Sequence, residues 1–105
     1  MKRDLIIEIY EFNPIGGIEE EPLMKAINKA QSRFFRKQPG FLKGEILRTS
    51  DNKWISISYW NSPKEAQTAK DIFLNHSTSL PFVQMISPSS ERRVYLERIF
   101  SYKKG

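Results

Sequence analysis

The chain has 105 residues, which suits a single domain (1–105) near the small end for covering its own core. It is 39% hydrophobic and 12% aromatic, an ordinary globular composition, and no run of about 18 apolar residues offers a membrane span. The net charge of +5 is scattered from Lys2 to Lys104, as on a solvated surface, whereas a nucleic-acid footprint clusters on one face.

Cysteine is absent, which excludes disulfides and thiolate metal sites. Met1-Lys2-Arg3-Asp4 starts basic but meets Glu8 before a signal-like apolar stretch develops, so the expected location is cytoplasmic.

Leu5 to Phe12 alternates and carries β-branched and aromatic residues, which predicts a first strand. Asn13-Pro14-Ile15-Gly16-Gly17 predicts a turn. A helix should follow, because Leu23, Ala26, Ile27, Ala30 and Phe34 make one apolar stripe. Glu19, Glu20 and Glu21 lie at its positive end and Arg33, Arg36 and Lys37 at its negative end, as the helix dipole favours. Gln38-Pro39-Gly40 stops it.

Phe41 to Thr49 reads as a second strand, and the polar turn Ser50-Asp51-Asn52 joins it as a hairpin to a third, Trp54 to Trp60. The second helix has an explicit start. Ser62 is the cap, Pro63 the first helical residue, and Glu65 completes a capping box. Ala66, Ala69, Ile72, Phe73 and His76 mark its expected buried face. Residues 77–90 are too apolar for a free loop but are broken by Pro81 and Pro88, so a packed turn or short helix is expected. Arg93 to Tyr102 alternates as a last strand.

The predicted order is β-α-β-β-α-β, an α+β, ferredoxin-like arrangement with a four-stranded antiparallel sheet. The third strand is apolar on both faces, with Ile55, Ile57 and Tyr59 on one and Trp54, Ser56, Ser58 and Trp60 on the other. Two helices cover only one face of such a sheet. A second copy of the chain is the expected cover for the other, giving a homodimer.

Pro39-Gly40-Phe41, the strand ending in Tyr59-Trp60-Asn61-Ser62, and Glu65-Ala66 on a helix together resemble the antibiotic biosynthesis monooxygenase-like family of the dimeric α+β barrel superfamily. The resemblance spans roughly residues 4–100 and implies two sheets packed as a dimeric barrel. It also implies oxidation of an aromatic or quinol-like small molecule by O2 without flavin or metal, the deprotonated substrate itself reducing oxygen. The family's pocket lies between helices and sheet and uses an asparagine and a tryptophan four apart on a strand. Trp60 matches the tryptophan, the asparagine position falls on Ser56, and an aromatic that some members carry on the second helix falls on Ala66. A haem-degrading branch uses a histidine near the end of that helix, where His76 stands, and a tryptophan on it. No tryptophan lies between Pro63 and His76, so no cofactor is expected and haem is not favoured.

The expected substrate-binding residues are Trp60 as a stacking wall, Ser56 and Ser58 as hydrogen-bonding groups in a space between Trp54 and Trp60, and Tyr59. His76 and Arg98 are the expected catalytic groups, stabilising a deprotonated substrate. Plainer roles compete: His76 as a helix-end residue, Trp60 as core, and Arg98 in an ion pair with Glu8 or Glu45. Two other functions compete as well. A non-catalytic or haem-binding dimeric barrel would serve as a sensor. An RNA-recognition motif shares the element order, but Lys53-Trp54-Ile55-Ser56-Ile57 lacks its third-strand glycine, so nucleic acid is not an expected partner.

Overall fold

Alternation turns Ile6–Phe12 into β1, an inner strand of the sheet, in a computed structural model that describes residues 5–105. The other elements are α1 (Glu20–Arg33), β2 (Phe41–Arg48), β3 (Trp54–Trp60), α2 (Pro63–Phe73), α3 (Ser79–Val83) and β4 (Arg92–Glu97). The strands form one antiparallel sheet in the order β2-β3-β1-β4, the expected ferredoxin-like topology. Among the described residues no helix is long and apolar enough to cross a membrane.

Register decides the faces. Ile6, Glu8, Tyr10 and Phe12 of β1 pair with Trp60, Ser58, Ser56 and Trp54 of β3, so these eight side chains share one face. That face meets the helices. Two core clusters lie on it, one at each end of β3. The first gathers Ala30, Phe34, Trp60, Ala66, Ala69 and Phe73; the second gathers Phe12, Leu23, Ile27, Trp54 and Ile86. The opposite face carries Ile7, Ile9, Ile55 and Ile57, all half-buried, with the more exposed Leu47, Val94 and Leu96.

Three local expectations are corrected. Ile72 is 48% exposed, because Ala66, Ala69 and Phe73 define the inward stripe and Ile72 is rotated off it. His76 lies beyond α2, in a turn where its N–H donates to the Phe73 carbonyl at 2.9 Å. β4 ends at Glu97 rather than Tyr102. As an edge strand it pairs only with β1, whose ladder starts at Ile6, so only the Leu5 carbonyl remains to accept the Arg98 N–H, at 3.4 Å. Residues 77–90 hold the short α3 and a 3-10 turn at Pro88–Ser90.

Candidate functional site

Serines between two tryptophans leave room. Over Ser56 and Ser58, between the two core clusters, lies a cavity of about 100 Å³. One buried water needs roughly 10–15 Å³, so this is space for several waters or a planar ring. Its apolar walls come from Phe12, Ile27, Phe35, Ile46, Phe73 and Phe82. Its polar lining is Ser56, Ser58, Glu8, Tyr10, Glu91 and Arg93, with Gln31 from α1 and Lys70 from α2.

Glu8 is the unusual member. It sits mid-strand on β1, opposite Ser58 on one side and Tyr95 on the other, and is 6% exposed. A carboxylate in that position needs a partner. Arg93 supplies it through a salt bridge. Arg93 lies directly across from Tyr10 in the β1–β4 register, and its guanidinium passes 4.3 Å from the centre of the Tyr10 ring to reach Glu8 diagonally. The Tyr10 hydroxyl donates to Glu91 at 2.6 Å. Burial, then the Glu91 carboxylate, raise the Tyr10 phenol well above its ordinary range, so it remains a neutral donor. Burial and the charge of Glu8 also raise Tyr95.

Of the residues singled out in the sequence, Ser56 and Ser58 line the cavity. Trp54 and Trp60 instead anchor the core clusters that bound it. Trp60 is 0% exposed, with Phe41 edge-on at 5.3 Å and Phe35 at 6.5 Å. Its Nε1 is a buried donor without an acceptor among the described residues, a condition that costs about 1–3 kcal/mol. Tyr59 lies on the opposite sheet face, its hydroxyl 3.4 Å from Glu45 and its ring beneath Lys43.

His76 packs its ring 4.9 Å from Phe34, and its Nδ1 accepts from the Thr78 N–H at 3.2 Å, outside the cavity lining. Arg98 is exposed beyond the end of β4, and the parity it shares with Val94 and Leu96 faces away from Glu8. The ion pair expected of Arg98 is therefore made by Arg93. Glu8 and Arg93 were legible only as an acidic residue breaking an alternating strand and a cation at the start of the last one. Their meeting depends on the β1–β4 register.

No family model and no curated relative matches the sequence. Solved structures do match. SnoaB from Streptomyces nogalater, described as a cofactor-independent oxygenase, is 17% identical with a TM-score of 0.75, over 97% of this chain and 100% of that one. A monooxygenase from the gene ActVA-Orf6 of Streptomyces coelicolor, in complex with Nanaomycin D, is 14% identical with a TM-score of 0.66, over 95% and 92%.

The chain has the antibiotic biosynthesis monooxygenase-like fold. A MhuD variant solved with two manganese protoporphyrin IX bound per active site shares it, at 14% identity and a TM-score of 0.70, over 94% of this chain and 99% of that one. His76 is not placed to hold a porphyrin iron at the cavity. His76 is engaged through Nδ1 and packed on Phe34, and it does not face the cavity. Within this antibiotic biosynthesis monooxygenase-like fold, the cavity is an apolar slot with hydrogen-bonding groups and one ion pair on the sheet side.

Proposed function

We propose that the protein is a cytoplasmic homodimer that binds an aromatic or quinol-like small molecule in the cavity over Ser56 and Ser58 and oxidises it with O2, without a cofactor. The observation that carries this reading is the composition of the slot. Phenylalanines and aliphatics surround a ring-sized space, and the sheet side carries two serines and an ion pair, where a ring hydroxyl would sit. SnoaB, described as a cofactor-independent oxygenase on the same fold, supports it, as does the ligand complex of the ActVA-Orf6 monooxygenase.

The chemistry asks little of the protein. A ring C–H and the phenol O–H give up their two hydrogens and the ring becomes a quinone, one oxygen atom of O2 entering as the new carbonyl and the other leaving as water. The substrate supplies the electrons. The protein's part is to exclude water, orient the ring and stabilise its deprotonated form. Ser56 and Ser58 would orient a hydroxyl. Trp60 lies outside the slot lining, so its unpaired Nε1 would meet a ligand only after a rearrangement of the side chains around it.

The test is O2 consumption by the purified protein, stripped of metal, across a panel of polycyclic phenols and hydroquinones. Ser56→Leu, which fills the slot from its sheet side, serves as the control. Uptake that Ser56→Leu abolishes is the expected result. A panel that neither consumes O2 nor shifts the melting temperature of the protein would overturn the reading.

A further inference from the structure

The fold does not require a carboxylate at position 8. An ion pair in this place gains little over well-packed apolar residues, because desolvation offsets the attraction. The chain nevertheless builds a support for it. The Tyr10 ring carries the guanidinium, the Glu91 carboxylate fixes the Tyr10 hydroxyl, and both members of the pair face the cavity.

We propose that Glu8 is the base that takes the hydroxyl proton of a phenolic ligand, and that Arg93 then holds the resulting phenolate. This rests on the aromatic-slot reading and names the groups that act in it. The step is a proton transfer and nothing else: the O–H bond of the phenol breaks, an O–H bond forms on a Glu8 oxygen, and no electrons are exchanged. The charge count in the cavity does not change. The Glu8 carboxylate is replaced by the phenolate as the partner of Arg93, and Glu91 is unchanged, so the site never has to bury an additional charge.

Glu8 is already almost wholly out of water, and a ligand filling the slot leaves no room for water on its cavity side. A carboxylate concentrates its charge on two oxygens, whereas a phenolate spreads it into the ring, so a dry slot narrows the gap in basicity that the transfer must cross, most for a ring with an electron-withdrawing group. Other titratable groups around Glu8 are Tyr10 on its own strand, Glu91 and Tyr95 from the β4 side, and Lys70 from α2; α1 offers neutral Gln31 and β3 two serines. Lys70 adds a second cation at the cavity, which favours a bound anion.

4-Nitrophenol is a suitable probe, because it is a single ring, its phenolate is yellow, and it does not react with O2. Binding is followed at about pH 6, above the ordinary carboxylate range, while a pH indicator in weakly buffered solution counts protons. The wild-type complex should be yellow and release almost no proton, since Glu8 retains it. Glu8→Gln should give a yellow complex only with release of about one proton per ligand, because Arg93 still draws the phenolate but the internal acceptor is gone. Arg93→Gln, the second variant, should bind the ligand colourless. A colourless wild-type complex, or a yellow one that releases a full proton, overturns the assignment of Glu8. Failure of the wild type to bind any of the probe overturns the aromatic slot itself, and the assignment with it.

Discussion

Gly40 holds a φ of +83°, where a side chain is disfavoured, and a Cβ added there would lie 2.8 Å from the Cβ of Glu65. Its carbonyl accepts the Asn61 N–H at 2.8 Å, and the next residue, Phe41, packs edge-on against Trp60. The fragments that carried the family resemblance, Pro39-Gly40-Phe41 and Trp60 through Ala66, therefore touch one another. They secure a junction between the two strands of the hairpin and α2. That is why they report the fold, while the groups facing the cavity lie elsewhere.

Tyr10 offers a test at the same scale. Its phenol is held above the ordinary tyrosine value of about 10, so below that pH both folded and unfolded chains keep the proton and its full contribution to stability is present. As pH rises past 10, the unfolded chain loses the proton while the folded chain keeps it, and stability falls. Urea midpoints measured from about pH 8 to 11 should therefore decline for the wild type and decline less for Tyr10→Phe. Some slope should remain, because Tyr95 is raised too. Parallel profiles for the two proteins would contradict this.

Among the elements, α2 was the most legible. Ser62 Oγ accepts the Glu65 N–H at 3.2 Å and Pro63 occupies the first turn, as the capping pattern requires. The Glu65 carboxylate accepts from Ser62 Oγ at 3.1 Å rather than from the Ser62 backbone N–H that a full capping box would use. Ser62→Ala should lower stability by about 1 kcal/mol, and Ser62→Asp should restore most of it, read as a change in urea midpoint at constant slope. An Ala variant as stable as the wild type would show the cap to be redundant with packing of Ala66, Ala69 and Phe73.

The strand alternation was equally legible, because a period of two fixes which residues share a face. Which face meets the helices was not, since β3 is apolar on both. That choice is made by the Trp54 and Trp60 clusters together, a tertiary property. The end of β4 was hidden for a related reason. The pattern continues through Phe100, but a strand persists only as far as its partner, and β1 runs out at Ile6. The Glu8–Arg93 pair depends on the same pairing: two residues 85 apart in sequence meet only once β4 lies beside β1.

For the whole molecule, the outward sheet face is the decisive feature. An antiparallel sheet with one solvated face ordinarily alternates apolar and polar residues. Here the solvated side presents Ile7, Ile9, Ile55 and Ile57, flanked by Leu47, Val94 and Leu96 at 40–47% exposure. Charge is present at its margins, where Glu11 faces Arg92 at 3.9 Å and Lys43 faces Glu45 at 3.5 Å. An apolar centre with a charged rim is the anatomy of a protein interface. Each apolar Å² removed from water contributes about 25 cal/mol, and a two-fold axis would cover the patch with its own copy.

Ile57 is the place to test it, lying between Ile9 and Glu45 in the sheet. Ile57→Asp would place a carboxylate at the centre of the covered face, where burial without a partner costs several kcal/mol, while barely affecting a free monomer with that face in water. Sedimentation equilibrium should give twice the chain mass for the wild type and the single-chain mass for Ile57→Asp. The cavity opens on the other side of the sheet, so a folded Ile57→Asp monomer should still bind 4-nitrophenol. A wild type that sediments as a monomer, or a variant that stays dimeric, would place the interface elsewhere or remove it. Loss of ligand binding together with the dimer would instead mean that the second sheet holds the first in the shape the slot requires.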